Sequence, residues 1–150
     1  MKLMISLIMT LFIFSSTANA LIYVEPLAGL SRVSYDTGSL DSENNFVVGG
    51  RLGFSALLFT LGGEYTNVDS TGRTAIFAAF KAPVIPLRAF GRYFTDTGIT
   101  GDSSGYGLGV GFTGLPFLSI NLDYNHYESD DSLLKLNEIM LSVSMPFDFL

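Results

Sequence analysis

Apolar and polar side chains alternate with a period of two along most of the chain after residue 20. Period two is the spacing of a β-strand, in which successive side chains point to opposite faces. The alternation is clearest in residues 46–55, 117–127 and 136–149, and weakest in 74–81, where both faces are apolar. The pattern predicts eight strands, at residues 22–33, 46–55, 58–67, 73–82, 86–95, 104–113, 117–127 and 136–149.

The connections between these strands alternate in length and composition. Those after strands 2, 4 and 6 are tight, at residues 55–58, 82–86 and 113–116. Those after strands 1, 3, 5 and 7 are longer and rich in Asp, Ser, Gly and Asn, at residues 34–45, 67–72, 96–103 and 128–135. Short turns on one rim and long polar loops on the other are typical of outer-membrane barrels. We therefore expect an all-β fold, an eight-stranded antiparallel up-and-down transmembrane β-barrel in a bacterial outer membrane.

A soluble barrel of the lipocalin kind is the structural alternative, and it would place the apolar face inside. Composition argues against it, because only 15% of the residues are charged although 48% are hydrophobic, whereas soluble domains carry about 25% charged residues. The polar strand face is also unusually small, which suits a crowded interior. Its small residues are Gly49, Gly53, Gly105, Gly107, Gly109, Gly111, Ser119, Ser142 and Ser144.

Aromatic residues on the apolar face fall into two groups according to their position along the strands. The tyrosines lie near the long-loop ends and the phenylalanines near the short-turn ends, with aliphatic residues between them. Two aromatic girdles around an aliphatic belt are expected where a barrel meets the two interfaces of a bilayer. The predicted girdle residues are Tyr65, Tyr93, Tyr106, Tyr124, Phe54, Phe59, Phe80, Phe112, Phe147 and Phe149.

The first twenty residues have the organisation of a secretory signal peptide. Lys2 supplies a positive charge, residues 3–14 are apolar, and Ala18-Asn19-Ala20 fits the cleavage rule of small residues around a variable one. An uncleaved membrane anchor is the alternative, although the apolar segment is short for a membrane span. We expect cleavage after Ala20, which divides the chain into a signal peptide (1–20) and a barrel (21–150).

Several charged residues fall on the predicted inner face of the barrel. Pairing is expected there, because an unpaired buried charge is expensive. Arg92 with Glu64 and Asp123 is the best predicted cluster, and Lys81 is a further candidate for the interior. Because eight strands leave an interior just wide enough for side chains, a polar core is favoured over an ion pathway. The predicted network comprises Glu25, Arg51, Glu64, Arg88, Arg92, Asp123 and Glu138.

The composition narrows the other functions open to the chain. There is no cysteine and only one histidine, so thiolate chemistry is excluded and no cofactor is expected. The net charge of −6 argues against nucleic-acid binding. The oxygen-rich group Glu128, Asp130 and Asp131 is a weak candidate for a divalent cation, because it lacks the spacing of a known calcium loop.

The C-terminal segment resembles the assembly signal of outer-membrane barrels, through Ser142, Ser144, Phe147 and Phe149. Ser144 stands where that signal has glycine, and Leu150 follows the last aromatic residue. Segments 106–112 and 118–127 look like the late hairpin of small barrels such as the OmpA membrane domain, OmpX and the opacity proteins. The resemblance implies recognition by the barrel-assembly machinery, contact with lipid and lipopolysaccharide, and a monomer.

Three functions are compatible with this sequence. The first is a structural or surface-interaction protein of the envelope, with acidic loops that face an extracellular ligand; resemblance to small barrels links this type to adhesion and envelope integrity. The second is a hydrolase similar to lipid A deacylases, with His126, Ser129 and Glu138 as the candidate catalytic set, although the serine spacing does not match. The third is a narrow channel or a conduit for a hydrophobic ligand. The first is expected, so no enzyme is predicted.

Overall fold

A computed structural model describes residues 20–35, 42–98, 103–129 and 135–149, and the regular elements within these ranges are all β-strands. No helix among the described residues is long and apolar enough to cross a membrane. The strands are β1 (Leu21–Tyr35), β2 (Glu43–Ala56), β3 (Phe59–Val68), β4 (Thr71–Lys81), β5 (Leu87–Asp96), β6 (Ser103–Leu115), β7 (Leu118–Ser129), β8 (Lys135–Ser144) and β9 (Phe147–Phe149).

The strands form one closed antiparallel sheet. Each strand from β2 to β7 pairs with its sequence neighbours, and β1 pairs with β2 on one side and with β8 and β9 on the other. β8 and β9 form a single span that is interrupted at Met145 and Pro146, where proline has no N–H to donate to the ladder. Met145 N still donates to Pro26 O at 3.0 Å. The predicted eight-stranded barrel is confirmed, with strand ends shifted by up to three residues.

The apolar face of the sheet lies on the outside of the barrel. Phe54 is 65% exposed and Leu122 is 52% exposed, whereas Arg92 and Asp123 on the opposite face are 5% and 1% exposed. A soluble barrel has the reverse arrangement, with its apolar residues packed inside. The lipocalin-like alternative is therefore wrong, and the outer surface is built to face lipid.

The structure shows which face of the fourth strand points into the barrel, although its sequence is apolar on both faces. Ala75 and Phe77 of β4 lie inside the barrel, and Ile76 lies outside. The inward position of Phe77 brings its ring to 6.1 Å from that of Tyr23, measured between centroids. The barrel interior therefore contains aromatic residues as well as the predicted charges.

The connections on the two rims differ in length less consistently than the sequence predicted. On one rim, here called the short-turn rim, the connections are residues 57–58, 82–86 and 116–117. On the opposite rim, the prediction of a longer loop at 67–72 is wrong, because only Asp69 and Ser70 join β3 to β4. Both have positive φ, 43° and 74°, as the two central residues of the tightest hairpin turns require. The other three predicted loops are largely outside the described residues, at 36–41, 99–102 and 130–134.

Candidate functional site

Six charged side chains form a continuous chain of ion pairs along the inside of the barrel. Arg51 lies between two carboxylates, 3.0 Å from Glu25 and 2.6 Å from Glu64. Arg92 extends the chain, 2.7 Å from Glu64 and in contact with Asp123, while Arg88 contacts Glu25 at the other end. Read along the barrel, the order is Arg88, Glu25, Arg51, Glu64, Arg92 and Asp123.

The chain of ion pairs is balanced and removed from water. Three arginines alternate with three carboxylates, and each of these residues is 7% exposed or less. Arg92 contacts both Glu64 and Asp123, the two partners expected from the sequence. Glu25 and Glu64 are each shared between two arginines. Because each interior charge depends on its neighbour for compensation, loss of one member leaves at least one buried charge uncompensated.

Neutral side chains anchor the end of this chain that is nearer the short-turn rim. Arg88 donates to Tyr23 Oη and to Asn121 Oδ1, each at 2.7 Å. Asn121 in turn donates to Ser144 Oγ at 2.9 Å, and both Tyr23 and Ser144 donate to Glu25. These bonds fix the carboxylate and the guanidinium in one arrangement, as buried polar networks require if they are not to cost stability.

The Phe90 ring lies among the three arginines of the chain. The guanidinium carbons of Arg51, Arg92 and Arg88 are 4.6, 5.4 and 5.5 Å from its centroid. A cation within about 6 Å of a ring centroid is attracted by the negative face of the ring. Phe90 therefore fills the space between the arginines and also contributes to holding them in the interior.

Glycines of β6 make room for these side chains. A Cβ atom at Gly107 would lie 2.8 Å from Arg92 Cγ, one at Gly109 would lie 2.5 Å from Phe90 Cε2, and one at Gly111 would lie 2.9 Å from Arg88 Nε. Cβ atoms essentially never approach heavy atoms so closely. This glycine wall, defined by Gly107, Gly109 and Gly111, is therefore the surface on which the arginines and Phe90 rest.

A second ion pair lies nearer the opposite rim, where the sequence analysis placed Glu138 in the interior but missed its partner Arg73. Arg73 is 2.9 Å from Glu138, which also accepts hydrogen bonds from Tyr127 Oη at 2.7 Å and from Asn125 Nδ2 at 3.0 Å. Arg73 has the same parity as the inward Ala75, which was a usable signal. It stood at the uncertain start of the fourth strand, whereas Lys81, the further candidate for the interior, is exposed at the other end.

The candidate catalytic residues do not form a constellation. His126 lies on the outer wall, with Nδ1 2.7 Å from Asn137 Oδ1 and Nε2 3.3 Å from Glu128 Oε1. Glu138 lies inside the barrel and is 1% exposed. The wall of the barrel separates these two side chains, and the Ser129 side chain lies outside what the structure describes.

The candidate metal ligands are only partly described. Asp130 and Asp131 fall outside the described residues, and Glu128 lies 3.1 Å from Lys135. Within the described ranges, no group of three or more His, Asp or Glu residues is arranged to hold a metal ion.

The aromatic and C-terminal residues follow the predicted parity. The four girdle tyrosines are on the outer surface, 46% to 57% exposed, and so are Phe54, Phe59, Phe80, Phe112 and Phe149. Phe147 is half-buried, with its ring centroid 6.1 Å from that of Phe149. Ser142 and Ser144 of the C-terminal segment point into the barrel and are each 1% exposed.

Comparison with solved structures identifies the architecture. The crystal structure of Neisserial surface protein A matches with a TM-score of 0.54 and 16% identity, over 84% of this chain and 97% of that protein. The fold is that of a small outer-membrane barrel. A second match is Ail, the attachment invasion locus protein of Yersinia pestis, in complex with the heparin analogue sucrose octasulfate. Its TM-score is 0.50 and its identity is 18%, over 85% of this chain and 98% of Ail.

Sequence comparisons add no closer relationship. No protein-family model matches the chain, and no curated protein sequence matches it. The apolar exterior, the charged interior and the fold are those of an outer-membrane barrel.

Proposed function

We propose that this chain is a structural and surface-interaction protein of the bacterial outer membrane, in which the barrel serves as an anchor for acidic extracellular loops. The observation that supports this most directly is the buried ion-pair chain from Arg88 to Asp123. It fills the interior with mutually compensated charges. A barrel of this width with a filled core is suited to holding loops at the surface rather than to passing solutes.

The narrow-channel alternative is less well supported by the same geometry. An ion that crossed the barrel would have to separate Arg51 from Glu25 and Glu64, and these groups are at most 4% exposed. Separating a buried pair exposes each partner to the full cost of an uncompensated charge, about 3–5 kcal/mol. The Phe90 ring lies beside Arg51 and packs against Gly109 on the facing side.

The hydrolase alternative lacks an assembled acid–base pair. Ester hydrolysis by a Ser–His–acid set requires the acid to orient the histidine. His126 instead contacts Asn137 and Glu128 on the outer wall, and Glu138 is held inside by Arg73. Nothing in this arrangement favours the enzyme over the anchor.

The charge of the loops specifies the kind of ligand that the surface would accept. The four polar segments predicted for the loop rim, at 34–45, 67–72, 96–103 and 128–135, contain nine acidic residues and, of basic residues, only Lys135. The heparin analogue bound by Ail is a polyanion, which these loops would repel. We therefore infer that the ligand of this chain is a cationic surface, because complementary charge governs both encounter and specificity. The acidic residues are Asp36, Asp41, Glu43, Asp69, Asp96, Asp102, Glu128, Asp130 and Asp131.

Export and assembly are part of the same proposal. Residues 1–20 would be removed as a signal peptide. The C-terminal strand, with Phe147 and Phe149 on its outer side, would be recognised by the barrel-assembly machinery, and the product would be a monomer. The short-turn rim would then face the periplasm and the loops would face outward.

The proposal is tested by fractionation and by electrical recording. After expression of the full chain in a Gram-negative host, we expect it in the outer-membrane fraction, with different gel migration before and after boiling. In planar bilayers the folded barrel is expected to give no steady conductance. Ion-selective conductance that depends on Arg51 would contradict the anchor and support a channel.

The enzyme is tested separately, by mass spectrometry of lipid A from cells that express the wild type or His126→Ala. We expect identical lipid A from both strains. Lipid A that has lost an acyl chain only in the wild-type strain would establish hydrolase activity and overturn the proposal.

A further inference from the structure

The three connections of the short-turn rim consist only of apolar residues and proline. They are Leu57-Leu58, residues 82–86 (Ala-Pro-Val-Ile-Pro) and Pro116-Phe117. Their tips are among the most exposed large hydrophobic residues described, with Leu57 at 87%, Val84 at 90% and Phe117 at 79%. Turns that face water are usually built from Gly, Pro, Asn, Asp and Ser, and runs of exposed apolar residues are avoided unless they have a function.

Two of these tips adopt a backbone conformation that disfavours bulky residues. Leu57 has φ of 55° and Phe117 has φ of 61°. The left-handed region is common only for glycine and, to a lesser degree, asparagine and aspartate. On the opposite rim, the equivalent hairpin positions are held by the polar residues Asp69 and Ser70. Large apolar residues at strained positions that are also exposed indicate a surface that contacts something other than water.

The height of the apolar belt on the strands indicates what that contact is. Six residues separate Tyr106 from Phe112, Leu87 from Tyr93 and Leu118 from Tyr124. With a rise of about 3.3 Å per residue and a tilt of about 40°, six residues span about 15 Å along the barrel axis. The apolar band of an outer-membrane barrel is about 25 Å tall. On the outer surface of β5 to β7, the apolar part of the strands is therefore about 10 Å shorter than such a band.

The apolar turns extend over much of this deficit. Eight residues separate Tyr65 from Leu57, nine separate Tyr93 from Val84, and seven separate Tyr124 from Phe117. At full strand rise, these separations correspond to about 18 to 23 Å below the tyrosine girdle. The turn tips therefore lie at the height where the lower boundary of the hydrocarbon is expected.

On the side of the barrel formed by β8 and β9, the strands alone give an apolar belt of full height. The exposed outer face of β8 and β9 is apolar from Ile139 to Phe149, a separation of ten residues that spans about 25 Å. The belt is thus tall on β8 and β9 and short on β5 to β7. Lys81 and Asp148, the charged residues of the short-turn rim, line the mouth of the barrel, a cavity of about 300 Å³ that Leu57 and Phe117 also line. Both charged residues have the inward parity of the buried Phe77 and Ser144, so the outer face of the strands stays apolar.

We propose that the three turns, with tips at Leu57, Val84 and Phe117, are immersed in the phospholipid leaflet on the short-turn side, where they complete the apolar belt and set the depth of the barrel. The partner of this surface is the lipid itself, at the boundary between acyl chains and headgroups. Exposed apolar side chains at that boundary stabilise membrane binding in the same way as the apolar face of an interfacial helix. The girdle phenylalanines near the short-turn rim then lie within the hydrocarbon rather than at its edge.

The proposal is tested by depth-dependent fluorescence quenching, since the chain contains no tryptophan. Phe117→Trp and Val84→Trp are prepared singly, and each is folded into phosphatidylcholine vesicles with bromine atoms on the acyl chains near the headgroup or near the chain end. Leu108→Trp, in the outer belt, is the lipid-exposed control, and Glu43→Trp, beside the loops, is the water-exposed control. Different migration before and after boiling verifies that each variant is folded.

We expect the two turn variants to be quenched by brominated lipid, more strongly with the bromine near the headgroup, and to be shielded from aqueous iodide. Leu108→Trp should prefer the deeper bromine, and Glu43→Trp should respond to iodide alone. If Phe117→Trp or Val84→Trp responds to iodide as Glu43→Trp does, and not to brominated lipid, the proposal is overturned. That outcome would leave the rim as an apolar surface in the periplasm, available to a protein partner. Val84→Trp serves as the independent readout if Phe117→Trp does not fold, because Val84 has no strained φ.

Discussion

The guanidinium carbon of Arg51 lies 4.6 Å from the centroid of the Phe90 ring, at the point where the arginine also pairs with Glu25 and Glu64. An aromatic ring in the middle of an ion-pair chain gives the arginines a favourable neighbour on the side that carboxylates do not occupy.

Replacement of Phe90 by leucine should lower the free energy of unfolding by about 1–3 kcal/mol, through loss of packing and of the cation–ring contacts. The measurement is urea-induced unfolding of the barrel in lipid vesicles, followed by tyrosine fluorescence or by gel migration. Phe54→Leu is the matched control, because Phe54 is 65% exposed on the outer wall. Equal effects of the two substitutions would show that the ring has no special role in the core.

Glu64→Gln should destabilise the barrel by about 3–5 kcal/mol, because it removes the carboxylate shared by Arg51 and Arg92. Gel migration before and after boiling, at increasing temperature, reports the loss. Glu128→Gln removes an acid from an exposed pair with Lys135 and should leave the transition unchanged. A Glu64→Gln variant as stable as the wild type would mean that the buried chain tolerates an unpaired charge.

Gly109→Ala should be destabilising because its methyl group would meet the Phe90 ring. Combination with Phe90→Leu should recover part of the loss, since residues in contact show non-additive effects. A double-mutant cycle of unfolding free energies measures this coupling. Gly91→Ala is the control, because its Cβ would be no closer than 3.6 Å to any neighbour. Strictly additive effects of Gly109→Ala and Phe90→Leu would contradict the glycine-wall contact.

Asparagine at the strained turn tips separates backbone strain from lipid contact. In detergent micelles, which adapt to the protein, Leu57→Asn and Phe117→Asn should unfold at the same temperature as the wild type or higher, because asparagine tolerates positive φ. In vesicles the same variants should be less stable, because the apolar contact with the leaflet is lost. Thermal unfolding in the two environments provides the comparison. Stabilisation in both would argue that the tips do not touch lipid.

The alternation of side chains was sufficient to predict the barrel and most of the charged residues of its core. Parity alone placed Arg51, Glu64, Arg92 and Asp123 inside, because one face of a strand must meet lipid and the other the axis. Counting residues from the short-turn rim also grouped Arg92 with Glu64 and Asp123 at one height, and Glu25 with Arg51 and Arg88 at a lower one. These inferences succeeded because they depend on local spacing along each strand.

Features that depend on the stagger between strands could not be predicted in this way. The position of Phe90 among three arginines follows from the way in which distant strands face each other across the barrel. Arg73 was overlooked because β4 is apolar on both faces and gave no clear parity at its start. The hairpin at Asp69 and Ser70 was mistaken for a loop because polar composition indicates a connection without fixing its length.

The glycine wall also constrains how the sequence is able to change over time. Along β6, the inward positions from Gly105 to Gly111 have little room for a side chain, and the facing Arg88 and Arg92 belong to one chain of ion pairs. The intervening positions face lipid and need only remain apolar; they are Tyr106, Leu108, Val110 and Phe112. Sequence divergence on this strand should therefore be uneven, with an inner face that changes little and an outer face that exchanges one apolar residue for another.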